Sequence, residues 1–278
     1  MVLGTIGIGK TRGGSVPDHT HLGHRSRSIL RYGDQLAGRS RSIEARHVRE
    51  SPCGRHLLRY RWADPFSKPV YRVGIFAGIH GDEQAGVIAA VQLLHHLDIN
   101  LRIARFHELF IYPVCNPWGF DNGSREGESG KDLNRCFWSR DSEEGEPEVR
   151  ILEQELRAKQ FDGIIALHTD DTSEGIYGYV NGSTLTRHLL EPSLHAASSI
   201  LPRDDRSEID THTADRSIIT GGYSGILSAP PDQHPKPFEI VFETPHVAPL
   251  GKQVDAHLAA LKEILRLFPQ ISSEGMDI

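Results

Sequence analysis

Five short apolar runs punctuate the chain, each bounded by polar, Gly or Pro residues: His56–Trp62, Val70–Ala77, Glu108–Val114, Phe161–Leu167 and Phe238–Phe242. Their length and texture predict strands. Phe161–Leu167 is apolar on both faces, which suits a central parallel strand. Between the runs the period lengthens. Glu83–Leu97 places Ala85, Val87, Ile88, Val91, Leu94 and Leu97 close to helical spacing. Glu146–Lys159 predicts a second helix, with Pro147 near its first turn. Leu185–Leu201 predicts a third, interrupted by Pro192, and Lys252–Phe268 a closing amphipathic helix. Residues 116–148 are thick with Gly, Asn and Glu and are expected to be mainly loop. No repeat at a period of 20–50 residues is visible.

Strands alternating with helices predict an α/β fold: a mixed, mostly parallel sheet with helices on both faces. In such sheets ligands sit beyond the carboxyl ends of the strands. His80, Asn116, His168 and Glu243 each fall just after a predicted strand. One site at one sheet edge is therefore expected.

Composition narrows the picture. Among 278 residues, 38% are hydrophobic and 24% charged, an ordinary water-facing balance. No run approaches the ~20 apolar residues of a membrane span. Cys53, Cys115 and Cys136 are odd in number and lack CxxC spacing, so neither a disulfide framework nor a cysteine metal site follows. A reducing cytoplasm is the default expectation. Residues 1–50 carry nine Lys/Arg against four Asp/Glu, a local +5, so the overall −6 leaves −11 on residues 51–278. The first 50 residues are expected to be a basic, Gly/His-rich leader, partly disordered, and 51–278 the folded domain. No nucleic-acid or membrane partner is expected.

Candidate chemistry starts at His80-Gly81-Asp82-Glu83, an HxxE unit on a strand-to-helix turn. Zinc accepts imidazole nitrogen and carboxylate oxygen, and a catalytic ion needs a third protein ligand plus an open position. His168, ending the next well-defined buried strand, is the natural third ligand. An isolated HxxE is a weak signal. A second constellation strengthens it: Asn116-Pro117-Trp118-Gly119-Phe120, then Arg125, then Asp132-Leu133-Asn134-Arg135.

These motifs, in order and spread over residues 80–243, resemble the zinc carboxypeptidase superfamily, which includes metallocarboxypeptidases and the succinylglutamate desuccinylase/aspartoacylase branch. Residues 1–50 lie outside the resemblance. It implies a zinc hydrolase domain holding one Zn²⁺ on His80, Glu83 and His168. Arg125 would stabilise the oxyanion, with Lys131 as a fallback should the loop be displaced by a gap. Asn134 and Arg135 would clasp a substrate carboxylate, since arginine offers a planar donor pair. Glu243 would act as general base on a metal-activated water and return the proton to the leaving nitrogen. Asp132 is expected to brace its loop. Family members often add a tyrosine. Tyr223, on a Gly-rich loop, is preferred to Tyr177 and Tyr179.

Other patterns are weaker. Gly4–Thr11 matches a phosphate loop letter for letter, but lacks a preceding strand and a following helix. His19, His21 and His24 read as part of a solvated leader, and His95-His96 as a late-helix pair. Two enzymatic readings share the metal site. One is a metallocarboxypeptidase acting on a small peptide with a free carboxylate. The other is a deacylase of N-acyl amino acids, whose branch usually adds a β-rich domain after the glutamate. Only 35 residues follow Glu243 here, which favours the first. The short spacing from His80 to His168 argues against the long loops of digestive carboxypeptidases and for a compact enzyme. A non-catalytic binding module should lack a ligand or the base, and none is missing.

Overall fold

A computed structural model describes residues 24–50, 56–139 and 145–273. They run as α1 (His24–Arg39), β1 (Ile43–Glu50), β2 (His56–Ala63), β3 (Tyr71–Ala77), α2 (Gln84–Ile99), β4 (His107–Tyr112), α3 (Pro117–Asn122), α4 (Pro147–Lys159) and β5 (Gly163–Asp170). Then follow β6 (Tyr177–Val180), α5 (Ser183–Leu185), a π-helical turn (Thr186–Leu190), α6 (Glu191–Ser198), β7 (Glu208–Ile209), β8 (His212–Asp215), β9 (Ile218–Ile219), β10 (Phe238–Pro245) and α7 (Leu250–Ser273).

The described strands form one ten-stranded sheet in the order β1-β2-β4-β3-β5-β10-β6-β9-β8-β7. It is a mixed sheet with helices on both faces. Parallel pairing holds its centre, β4-β3-β5-β10, and recurs in the single β6–β9 pair; the other pairings are antiparallel. Side chains on a strand alternate between faces, and the central strands are buried on both. Val73, Ile75, Ile111, Ile165, Leu167, Ile240 and Phe242 pack with α2 and α7 on one face. Phe76, Phe110, Tyr112 and Ile164 pack with Val149, Leu152 and Leu156 of α4 on the other.

The structure departs from the expected leader over residues 1–50. Residues 24–50 are built into the fold: α1 packs on α2, and β1 pairs antiparallel with β2 from Ile43 opposite Trp62. Ile29, Leu30, Gly33, Leu36 and Ala37 form one face of α1 among arginines, and Leu30 and Leu36 are buried. The Tyr60 hydroxyl donates to the Leu30 carbonyl at 2.9 Å, and Gly33 is small because a Cβ there would strike the Tyr60 ring. A stripe only five residues wide, diluted by Arg and Ser, reads as polar when averaged. Residues 1–23, with the phosphate-loop pattern and His19 and His21, lie outside the described residues; His24 opens α1.

Smaller differences follow the same logic. The expected loop 116–148 contains α3 and a 3₁₀ turn, Leu133–Arg135. Pro192 does not break its helix outright: a π turn precedes it, and it sits in the first turn of α6, where a missing N–H costs little. No helix among the described residues is long and apolar enough to cross a membrane.

Candidate metal centre and active site

The turn after β3 is shaped by two glycines. Gly78 takes φ +61°, a region that L side chains rarely adopt. Gly81 is needed for a different reason: a Cβ there would collide with the backbone of Gly119 and Phe120. The HxxE turn is thus pressed against the start of α3. Glu83 occupies the N-cap position of α2 but makes no capping bond with its side chain. Its carboxylate instead points at two imidazoles. Oε1 lies 2.5 Å from His80 Nδ1, and Oε2 lies 3.0 Å from His168 Nδ1. The Thr169 amide also donates to Oε2, at 3.1 Å.

All three side chains are buried, and one donor atom from each lies within 4.8 Å of the other two. The two rings are 5.0 Å apart, centroid to centroid. Burial alone would raise the Glu83 pKa, but the two histidines hold it well below the usual carboxylate range. Burial likewise opposes a charge on His80, yet the Glu83 charge, with hydrogen bonds to Asp132 and Glu83, outweighs it and brings His80 up to about 9. Two imidazoles and an ionised carboxylate, out of water with both Nδ1 atoms turned inward, are a fitting donor set for a divalent ion of the zinc type.

The other nitrogen of His80 is accounted for. Nε2 meets Asp132 Oδ1 at 3.1 Å, the carboxylate–imidazole support that fixes ring orientation at metal sites. Asp132 Oδ1 also accepts from the Asn134 amide at 2.8 Å, so one carboxylate braces both the loop and the imidazole. Arg125 reaches Asp132 Oδ2 at 3.2 Å and Glu83 Oε1 at 3.5 Å. Lys131, the fallback for Arg125, pairs instead with Glu146 at 3.3 Å. Asn116 does not join the site. Its Oδ1 caps α3 through the Gly119 amide at 2.8 Å, and its Nδ2 donates to the Glu126 carbonyl at 3.1 Å. That amide shapes the loop carrying Arg125.

Glu243 stands directly beside His168, its Cα partner in the parallel β10–β5 ladder. Both lie within their strands, which continue to Pro245 and Asp170, rather than beyond the strand ends as the sequence predicted. Burial, then the charges of Glu83, Asp170 and Asp210, push the Glu243 carboxyl well above its ordinary value, with Arg125 opposing.

A cavity of about 390 Å³ opens over this edge, and His80, Glu83, His168, Arg125, Asn134, Arg135, Tyr223 and Glu243 all line it. Asn134 is held by its Oδ1, which accepts from the Leu227 amide at 2.8 Å. The Arg135 guanidinium lies 4.6 Å over the Tyr223 ring. The Tyr223 hydroxyl donates to the Asp210 carbonyl at 2.8 Å and also contacts the Asp210 carboxylate, so the preferred tyrosine is engaged by the β7–β8 turn. Tyr177 is the tyrosine nearest the base in the sheet: it is the Cα partner of Glu243 on the antiparallel side, and its hydroxyl donates to Asp170 at 2.8 Å.

Asp170 and Asp210, which the motifs do not mark, line the cavity, as does Tyr177, the less favoured tyrosine. A sequence signal existed for Asp170, two residues beyond His168 on the same strand face. Asp210 had none, because it depends on a tight turn in which Asp210 and Thr211 both take positive φ.

With this geometry in hand, comparison with known proteins is informative. The family model of the succinylglutamate desuccinylase/aspartoacylase catalytic domain matches residues 69–202, a span containing the three candidate ligands but not Glu243. Comparison with curated protein sequences finds no match. Among solved structures, a Shewanella baltica OS155 protein provisionally designated a metallopeptidase is 21% identical. It covers 86% of this chain and 90% of its own, with a TM-score of 0.69. A metallo-carboxypeptidase from Burkholderia cenocepacia is 18% identical, covers 89% and 69%, and has a TM-score of 0.66. A metallo-carboxypeptidase from Pseudomonas aeruginosa, in complex with (2-guanidinoethylmercapto)succinic acid, is 19% identical over 90% and 69%, also at 0.66.

The fold is carboxypeptidase-like. The chain thus resembles the zinc carboxypeptidase-like superfamily in fold and, over residues 69–202, in sequence.

Proposed function

We propose that the protein is a zinc-dependent hydrolase cleaving an amide bond next to a substrate carboxylate, in the manner of a metallocarboxypeptidase. The observation that carries this reading is the convergence of three buried donors, a neighbouring carboxyl group and two arginines on one cavity.

His80, Glu83 and His168 would hold the ion. When bound, it supplies Lewis acidity and lowers the pKa of water in the site. Glu243 takes a proton from the attacking water on its carboxylate and returns it to the leaving nitrogen; a general base of this kind is worth ~10²–10⁴-fold. Its raised proton affinity in the metal-free site favours keeping the proton for the leaving nitrogen. Arg125, at the cavity wall beside Glu83, donates to the developing oxyanion. Arg135 Nη1 donates to the Asn134 carbonyl at 2.9 Å and no carboxylate among the described residues pairs with the guanidinium, so its remaining donors meet the substrate carboxylate, with the Asn134 side-chain NH₂ beside them. A small carboxylate-bearing substrate agrees with the succinic acid derivative bound by the Pseudomonas aeruginosa relative.

A second reading, deacylation of N-acyl amino acids, draws on the family match over residues 69–202. It uses the same groups on a substrate whose acyl part differs. A panel of dipeptides with free C-termini, γ-linked cell-wall peptides and N-acyl amino acids, each with and without chelator, separates the two. Chelator-sensitive release of a C-terminal residue supports the first reading. Turnover of N-acyl amino acids alone supports the second, and zinc-free protein inert toward every substrate removes both.

A further inference from the structure

Behind the site lies a polar cluster for which the apolar core has no packing need. Strand alternation turns His168 and Glu243 toward the cavity, so the next residues, Thr169 and Thr244, face the opposite layer. There they meet Gln253 and His257, one turn apart on α7. All four are buried, Thr244 and His257 completely.

The hydrogen bonds link these groups to the site. Gln253 Nε2 donates to the Ala248 carbonyl at 2.7 Å and to the His246 carbonyl at 3.3 Å, which fixes the amide with Oε1 toward the strands. That Oε1 accepts from Thr169 and from Thr244, each at 3.4 Å. The two threonine hydroxyls are 3.3 Å apart, and Thr244 Oγ1 lies 3.5 Å from the His168 carbonyl. His257 Nε2 sits 3.2 Å from Thr244 Oγ1. On its other side Thr169 gives its backbone amide to Glu83. A buried hydroxyl or amide without partners is costly, so such a cluster holds its members in one arrangement.

We propose that Thr244 and Gln253 are positioning residues: together with Thr169 and His257 they lock the ends of β5 and β10, and so set His168 and Glu83 for the ion and Glu243 for the water. This rests on the hydrolase reading above. Thr244, Gln253 and His257 lie outside the cavity lining, which Thr169 borders, and act through the residues of the site. Supporting groups of this kind are typically worth ~10–100-fold in metal affinity or activity.

The test compares Thr244→Val, which keeps the shape and removes the hydroxyl, with Thr244→Ser, which restores it, and with Gln253→Met. Zn²⁺ affinity is measured on chelator-stripped protein by competition with a chromophoric chelator. The kcat and KM values are measured separately, on whichever panel substrate the wild type turns over. Thr244→Val and Gln253→Met are expected to weaken Zn²⁺ binding about tenfold and to lower kcat about tenfold, with KM within about twofold. Thr244→Ser is expected to recover both.

A Thr244→Val protein that melts lower yet binds Zn²⁺ and turns over like wild type would make the cluster merely structural and overturn the proposal. A serine variant that fails to recover would do the same. Should Gln253→Met not fold, the valine–serine pair decides. Should wild-type protein hydrolyse nothing in the panel, the hydrolase reading fails on its own, and the Zn²⁺ affinities still test the positioning.

Discussion

Glu243 and His168 are Cα partners on adjacent parallel strands, so the candidate base is held beside a candidate ligand by backbone hydrogen bonds rather than by a loop. Replacing the carboxylate should therefore change chemistry without moving metal. Glu243→Gln is expected to lower kcat by about 10³ while retaining wild-type zinc content, read by elemental analysis of the purified variant. A variant that loses its zinc along with its activity would assign Glu243 to the metal instead.

Asp132 tests the support behind His80. Asp132→Asn keeps the capping oxygen for the Asn134 amide but removes the charge that faces Nε2 at 3.1 Å. Zn²⁺ affinity is expected to fall by about 10–100-fold. Chelator titration of wild type and variant measures this directly, and equal affinities would reduce Asp132 to a loop brace.

Arg135 tests carboxylate recognition. Arg135→Lys keeps the charge but not the planar pair of donors. The expectation is a KM raised about tenfold or more with kcat nearly unchanged, for substrates with a free carboxylate only. An amidated analogue should show no difference between the two proteins, and an equal loss on both would redirect the role of Arg135.

The raised pKa of Glu243 has a consequence for stability. In chelator-stripped protein the folded state binds its proton more tightly than the unfolded chain does, where a glutamate titrates near ~4.3. Below that pH both states are protonated and Glu243 has no effect. As pH rises toward the folded-state value, folding must retain a proton or bury a charge, and stability falls. Glu243→Gln should thus melt higher than wild type at neutral pH, with the gap closing as pH drops toward ~4. Thermal melts across pH check it, and a constant gap would contradict it.

His107 predicts the opposite slope. It is buried beside Tyr71 and Phe268, and burial pushes its pKa down to about 4. Unfolded chain takes up the proton near ~6.5, so the stability that comes from the neutral ring is complete above that pH and is lost as pH falls toward 4. His107→Leu should flatten the acid limb of the melting curve between those values. An unchanged limb would mean that other groups control it.

How much of this was legible in the sequence depends on the range of the forces involved. The central strands and α2, α4 and α7 were readable because burial writes its period directly into Val70–Ala77, Phe161–Leu167 and Glu83–Leu97. Elements with a narrow apolar stripe were not: α1 hides Leu30 and Leu36 among arginines, and β7–β9 are too short to carry a period. The candidate metal ligands stand out in the sequence as motifs with a chemical rationale. Their mutual support was invisible, since nothing local ties Asp132 to His80 or Gln253 to Thr244. The same holds for the tyrosines. The Gly-rich loop favours Tyr223 in sequence, and only sheet pairing puts Tyr177 beside Glu243 while a turn engages Tyr223.

The contact between Arg135 and the ring of Tyr223 joins two parts of the chain that are far apart in order. Because Asp210 anchors that ring, the short hairpin at the sheet margin bears on where the Arg135 guanidinium lies. If Arg135 grips the substrate carboxylate as proposed, substrate range is open to change at the tip of that turn, with His80, Glu83 and His168 left as they are.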